Sequence, residues 1–150
     1  VSAAWLLHWT APFARFDRDA RDLEALAPHV RPGASVMSVP FELDSPGIPG
    51  VPFLHFAAYL QAQNYGPIGY SFAANNPAFV RYRPGHERPM SEGLAFSASR
   101  YHPDPDGDRD YFLVRAANPP AADFFGLAPD AVVLEAHQGK WWLYRHGRRQ

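Results

Sequence analysis

The chain has 150 residues, no cysteine and a net charge of −1 at neutral pH. This length is most simply one domain, residues 1–150, with room for a hydrophobic core, and a 47% hydrophobic content excludes a disordered chain. The near-zero charge argues against a nucleic-acid-binding surface. Without cysteine there is no disulfide, no thiolate metal site and no thiol nucleophile. The 16 prolines and 11 glycines indicate ordered loops more than long helices.

The amino-terminal segment is unusually apolar. Residues 3–9, Ala-Ala-Trp-Leu-Leu-His-Trp, hold two tryptophans and two leucines. We predict the first core strand here, and the alternative is a segment emerging from a membrane interface, where tryptophan favours the headgroup level. The chain starts at Val1 and not at methionine, so we expect a processed product or a fragment. No apolar run approaches the roughly 20 residues of a membrane-spanning helix, so the chain as given is expected to be soluble.

The first half of the chain alternates helix and strand signals. Residues 19–27 predict a short helix capped by Asp17 or Asp19. Residues 34–41 predict a strand with Pro40 near its end. Residues 51–64 give the best helical pattern of the chain, because apolar side chains recur every three or four positions. These apolar positions are Phe53, Phe56, Ala57 and Leu60.

The second half favours strands and ends in a hairpin, since Gln138-Gly139 separates two strand-like runs. Together with the first half, this order predicts an α/β fold. We expect a two-layer or three-layer mixed sheet of about five strands with two main helices and a C-terminal β-hairpin. Besides the strand at 34–41, the strand-like runs of the second half are 70–73, 79–83, 110–116, 131–137 and 140–145, and the expected short helices are 91–98 and 121–127.

A polar stripe accompanies the apolar one on the predicted 51–64 helix. His55, Tyr59 and Gln63 are four residues apart and therefore share a helical face. They could hydrogen-bond a sugar hydroxyl or a phosphate, with Tyr65 or Tyr70 stacking on a ring. The alternative is that His55 and Tyr59 are rim residues satisfied by backbone groups.

The loop that follows the 34–41 strand supplies further candidates. In open α/β sheets, ligands usually bind beyond the carboxyl ends of strands. Glu42 and Asp44 leave such an end and are candidates to line a site with His55. The alternative is a solvated loop of ordinary turn residues.

The acidic run from Asp104 to Asp110 is the strongest metal-like pattern. A calcium loop needs glycine at its sixth position and a bidentate glutamate at its twelfth. Counted from Asp104, Gly107 stands at position four and Arg115 at position twelve. A solvated acidic turn therefore fits better, with weak divalent binding as the alternative, and we predict no metal site and no cofactor.

Five short segments occur in a characteristic order after the acidic helix. They are Arg31-Pro-Gly-Ala-Ser-Val36, Pro52-Phe-Leu-His-Phe-Ala-Ala-Tyr59, Ser71-Phe-Ala73, Arg109-Asp-Tyr-Phe-Leu-Val114 and Lys140-Trp-Trp-Leu-Tyr-Arg145. Over nearly the whole chain, they resemble the soluble C-terminal region of large bacterial membrane proteins of the GT-C glycosyltransferase type. Those proteins use polyprenyl-phosphate sugar donors.

This resemblance implies a location and a role. The soluble region of such proteins follows their last membrane helix on the extracytoplasmic, periplasmic face, so Trp5 and Trp9 would mark the exit from the membrane. Their catalytic acidic residue lies in membrane-side loops, so no catalytic residue maps onto this chain. The resemblance therefore implies a non-catalytic accessory or acceptor-recognition domain that contacts glycan or a polyprenyl-phosphate sugar through its parent protein.

Two other functions stay open at this point. One is a small free-standing enzyme in which His55 works with Glu42 or Asp44 as an acid–base pair. The other is a protein-interaction domain that uses exposed aromatic side chains. The oligomeric state is not predicted.

Overall fold

A mixed four-stranded sheet forms the centre of the protein, as seen in a computed structural model that describes residues 3–69, 83, 90–128 and 131–147. The sheet order is β1-β2-β4-β3, with β1 parallel to β2 and the other neighbours antiparallel. The predicted α/β class and the C-terminal hairpin are confirmed, and Gly139 takes the left-handed turn conformation with φ 55°. The strands are β1 (Val36–Pro40), β2 (Tyr111–Arg115), β3 (Val132–Gln138) and β4 (Trp141–His146).

Two main helices accompany the sheet. They are α1, Ala3–Glu24, and α2, Ala57–Asn64. Shorter helical pieces are the 3₁₀ turns Ala27–His29, Leu94–Phe96 and Ala98–Arg100 and the single helical turn Pro103–Asp106. The weak helix predicted over 91–98 is therefore 3₁₀ in character, and the short helix predicted over 121–127 is a run of turns.

The prediction of a strand over residues 3–9 is wrong, because these residues belong to α1. The helix predicted over 19–27 is the end of the same element as far as Glu24, while Ala27 begins a 3₁₀ turn, so Asp17 and Asp19 lie inside a helix and do not cap it. Composition misled the strand prediction, whereas spacing would have corrected it, since apolar residues recur every three or four positions. Those residues are Trp5, Trp9, Pro12, Phe16, Ala20 and Leu23.

The helix predicted over 51–64 is also shorter than expected. Residues 52–56 form successive turns, in which the Leu54 N–H donates to Val51 O at 3.1 Å and the Phe56 N–H to Phe53 O at 3.2 Å. Regular α-helix begins only at Ala57. The helix ends just before Tyr65, which caps it in a left-handed conformation (φ 59°) while its N–H donates to Gln61 O at 2.8 Å.

The strand alternation builds two separate hydrophobic cores, one on each face of the sheet. Helices α1 and α2 cover one face, and the 3₁₀ turns Leu94–Phe96 and Ala98–Arg100 with the Phe124-Phe125 turn cover the other, which gives three layers. The helical-side core includes Leu23, Phe53, Phe56, Leu60, Val36, Tyr111, Leu113, Trp141 and Leu143. The opposite core includes Met37, Val39, Leu94, Tyr101, Phe112, Val114 and Phe125.

Residues 64–69 run beside β1 and extend the sheet edge. The Val36 N–H donates to Pro67 O at 2.9 Å, and the Gly69 N–H donates to Val36 O at 2.8 Å. Gly66 makes this approach possible, because a Cβ added there would stand 1.9 Å from the Ala34 carbonyl oxygen. The strands predicted at 70–73 and 79–83 lie outside the described residues, except Arg83, which is in no strand.

Candidate functional site

The parallel strands β1 and β2 end side by side, and the predicted loop leaves from this edge. The backbone N–H groups of Phe41 and Glu42 both donate to Arg115 O, at 3.0 and 3.1 Å. Lys140, the residue before β4, reaches the same edge because β4 runs antiparallel to β2. The carboxyl end of the parallel pair therefore gathers charged side chains, as expected for this position in an α/β sheet.

The centre of this edge is a buried arginine. The Arg115 side chain is only 2% exposed and donates from Nη2 to Asp19 Oδ2 at 2.8 Å. Its Nη1 donates to Glu42 O at 3.0 Å. The guanidinium lies over the Phe53 ring at 3.7 Å and 5.6 Å from the Trp141 ring centre. Burial lowers the pKa of Arg115, and Asp19 opposes that effect, so the group stays a cation.

Arg115 is not among the site residues predicted from the sequence. The sequence does contain a pattern that indicates burial of Arg115. Tyr111, Leu113 and Arg115 are two residues apart in a strand, so all three side chains lie on the same, inward face of the sheet. A cation at such a position needs a buried acceptor. Asp19 supplies it from the middle of α1, where an aspartate is otherwise an unfavourable choice.

Glu42 ties the same edge to the hairpin. One carboxylate oxygen accepts from the Ala117 N–H at 3.0 Å, and the other accepts from the Lys140 ammonium. The Trp141 indole N–H donates to Asp19 O at 2.7 Å. The contacts with Ala117 and Lys140 make Glu42 a structural cross-link rather than a free acid facing a ligand.

The ionisation of Glu42 should contribute to stability at neutral pH. Partial burial alone would raise the pKa of Glu42, but the hydrogen bonds from Lys140 and Ala117 and the nearby charges outweigh it, so the pKa falls below 4.5. Because the folded-state pKa is depressed, the stabilisation is present above about pH 4.5 and is lost as the pH falls through the folded-state value.

Urea unfolding measured from pH 7 to pH 2.5 should therefore show a fall in the free energy of unfolding that is smaller in Glu42→Gln. Glu92→Gln, at an exposed position, is the matched control and should keep the wild-type profile. A Glu42→Gln profile as steep as that of the wild type would contradict this role.

The sequence-predicted site residues divide into two groups. Glu42 and the exposed Asp44 belong to the Arg115 edge, where burial lowers the pKa of Arg115 and the charge of Asp44 is the smallest of the effects that oppose this lowering. His55, Tyr59 and Gln63 are all exposed, but only Tyr59 and Gln63 lie on α2. The predicted three-residue helical stripe is therefore wrong at His55, which precedes the helix. Tyr70 lies outside the described residues.

Tyr59 forms the rim of a groove between α1 and α2. The groove has a volume of about 160 Å³ and is lined by Phe16, Ala20, Leu23, Glu24, Phe56 and Tyr59. The rings of Phe56 and Phe16 contact each other with centres 5.6 Å apart, and Phe56 also contacts Tyr59 at 5.3 Å. The Tyr59 side chain is 54% exposed, so one aromatic surface stands open above an apolar floor.

A second groove lies on the opposite face of the sheet. It has a volume of about 200 Å³ and opens beside Tyr144, which is half-buried. Burial raises the pKa of Tyr144, so its hydroxyl stays protonated at neutral pH. The other lining residues are Pro120, Ala121, Ala122, Phe125, Leu127, Ala128 and Val132.

The acidic run serves the fold. Asp106 is fully buried and accepts from the backbone N–H groups of Ser91 at 2.8 Å and His102 at 2.9 Å. Asp110 accepts from the N–H and the hydroxyl of Ser35 at 2.9 and 2.8 Å. Within the described ranges, no three histidine or carboxylate side chains converge as metal ligands would.

Within the part of the chain that the structure describes, no helix combines the length and apolarity needed to cross a membrane. No protein-family model, curated protein or solved structure matches this chain.

Proposed function

We propose that this domain is a non-catalytic recognition module of a membrane glycosyltransferase-like protein, and that it binds glycan in the α1–α2 groove. The observation that carries the proposal is the open Tyr59 ring above the apolar floor of that groove. The parent protein would supply the catalytic residues and the polyprenyl-phosphate sugar. The module would act on the periplasmic face by holding the acceptor.

The groove has the composition that a sugar ring requires. The carbon face of a pyranose is apolar and packs on aromatic side chains, while its hydroxyls need hydrogen-bonding groups around the edge. Phe16, Phe56 and Tyr59 offer the aromatic surface, and Glu24 offers carboxylate oxygens at the edge. Gln63 follows one helical turn after Tyr59 and is exposed on the same side of α2.

The size of the groove favours a single ring. Typical small-molecule sites have volumes of about 300–1,000 Å³, whereas this groove has about 160 Å³. An extended oligosaccharide would therefore place one residue in the groove and the rest along the surface. This arrangement suits recognition of a chain end or of one residue within a longer acceptor.

The contacts of Glu42 support recognition over catalysis. A general acid has to be protonated near the working pH, but Lys140 and Ala117 hold Glu42 as a carboxylate with a lowered pKa. Glu42 is thus a poor general acid, and the enzyme alternative keeps only the pair of His55 with Asp44.

Tyr59→Ala should weaken saccharide binding about three- to tenfold, because an aromatic contact contributes about 0.5–1.5 kcal/mol beyond its buried area. The measurement is an ¹H–¹⁵N NMR titration of the 150-residue chain with glucose, mannose and glucosamine, following the amides of α1 and α2. Tyr65→Asn is the matched control, since Tyr65 is 88% exposed and outside the groove, and asparagine tolerates its left-handed backbone.

The proposal predicts shifts in the groove for the wild type and for Tyr65→Asn, and weaker binding for Tyr59→Ala. It is overturned if no saccharide shifts the amides of α1 and α2. It is equally overturned if Tyr65→Asn loses as much affinity as Tyr59→Ala.

A further inference from the structure

We infer that the α1–α2 groove selects a sugar that carries a protonated amino group, and that Glu24 is the residue that determines this specificity. The inference rests on the proposed glycan binding and names its substrate class. Glu24 is the only ionisable acid among the six residues that line the groove, beside the phenol of Tyr59. The cation that would neutralise it has to come from elsewhere.

The side-chain carboxylate of Glu24 has no hydrogen-bond or ion-pair partner within the described ranges, 3–69, 83, 90–128 and 131–147. The nearest basic side chain along α1, Arg21, is engaged by Asp17 at 2.6 Å. Asp22, the other acid of the last turn, accepts from Gln138 Nε2 at 3.3 Å. Among the charged residues of this turn, Glu24 is thus the one whose carboxylate is available to a ligand.

The position of Glu24 on the helix adds to the negative potential. Glu24 is the last residue of α1, and a helix carries a partial negative charge at its carboxyl end. An acidic side chain there is unfavourable for helix stability, whereas a cation bound beside it is favoured by both charges. A glutamate at this end of the helix therefore lowers the stability of the fold and strengthens the binding of a cationic ligand.

Tyr59 completes the recognition of an ammonium group. It lines the same groove as Glu24 and exposes more than half of its side chain. A cation near an aromatic face is attracted by the ring, and a charge-assisted hydrogen bond to a carboxylate is about twice as strong as a neutral one. The apolar floor of Phe16 and Phe56 would receive the carbon face of the sugar, so the cation and the ring bind together.

The experiment compares glucosamine, glucose and N-acetylglucosamine in ¹H–¹⁵N NMR titrations at pH 6.5 and low ionic strength. The wild type should bind glucosamine about tenfold more tightly than glucose or N-acetylglucosamine, because only glucosamine carries the charge. Glu24→Gln should remove this difference, because the carboxamide keeps an oxygen acceptor for a sugar hydroxyl but carries no charge for the ammonium group. Glu92→Gln, which removes an exposed acid outside the groove, should keep the full difference.

The outcomes separate this inference from the proposed function. Equal affinity of the wild type for glucosamine and glucose, with shifts in the groove, would overturn the amino-group selectivity and leave glycan binding in place. Persistence of the glucosamine preference in Glu24→Gln would overturn the role of Glu24. A lack of any shift in α1 and α2 with all three sugars would overturn both proposals.

Discussion

Arg115→Met should lower the free energy of unfolding by about 3–5 kcal/mol, the range found when one member of a buried ion pair is removed. The substitution leaves Asp19, whose side chain is only 16% exposed, without its cation. It also removes the guanidinium that lies over Phe53 at 3.7 Å. Urea unfolding followed by tryptophan fluorescence measures the loss, since Trp141 packs at the same place.

Arg31→Met is the matched control for Arg115→Met. Arg31 pairs with Asp110 at 3.4 Å, but its side chain is 57% exposed, so its removal should cost at most about 1 kcal/mol. The double variant Asp19→Leu/Arg115→Met removes both charges and should lose less stability than Arg115→Met alone. Equal losses for Arg115→Met and Arg31→Met would show that the buried pair does not hold α1 to the sheet.

Gly66→Ala should destabilise the protein by about 3 kcal/mol or more, because the new methyl group has no room. Its Cβ would stand 1.9 Å from the carbonyl oxygen of Ala34, and a backbone atom cannot move aside as a side chain can. Relief of this clash would separate residues 64–69 from β1 and break the bond from the Val36 N–H to Pro67 O. Thermal and urea unfolding, followed by circular dichroism, measure the effect.

Gly50→Ala is the control that distinguishes the effect of a steric clash from that of backbone strain. Gly50 has φ 85°, but no atom lies within 4 Å of an added Cβ. The cost should then be only that of a positive φ, about 1–2 kcal/mol. If Gly50→Ala proves as damaging as Gly66→Ala, the close approach at Ala34 does not explain the glycine.

The described strands were largely predictable from local sequence patterns. The runs predicted at 34–41 and 110–116 contain β1 and β2, and the runs predicted at 131–137 and 140–145 each miss only the last residue of β3 and β4, because each run combines β-branched or aromatic residues with turn signals. The hairpin was equally predictable, since Gly139 supplies the conformational freedom that a tight turn needs. The turn itself lies one residue later than predicted, at Gly139-Lys140, because Gln138 pairs with Trp141 at the end of β3.

The helices show where composition misleads. Residues 3–9 looked like a strand from their tryptophan and leucine content, although their spacing is helical. Residues 52–56 carry helical spacing but form turns, so there periodicity alone extended α2 too far toward its amino end. In both places the error lies at the amino-terminal boundary of an element, where the signals are weakest.

The candidate site was predictable only as a region. The loop beyond β1 and the Tyr59–Gln63 side of α2 were identified from the sequence, because strand ends and helical faces are local properties. The roles were not predictable. Whether Glu42 faces a ligand or Lys140 depends on residues 98 positions apart in the chain, which only folding brings together.

The sequence by itself determined the α/β class, the order of the strands along the chain, the terminal hairpin and the buried positions Phe53, Phe56, Ala57 and Leu60. It could do so because hydrophobic period and turn chemistry act over a few residues. The tertiary structure decided that Asp19 of α1 binds Arg115 of β2, and that Glu24, Phe16 and Tyr59 share one groove. These pairings depend on how α1 lies across the sheet, and that docking is fixed by side-chain packing between distant segments rather than by any local pattern.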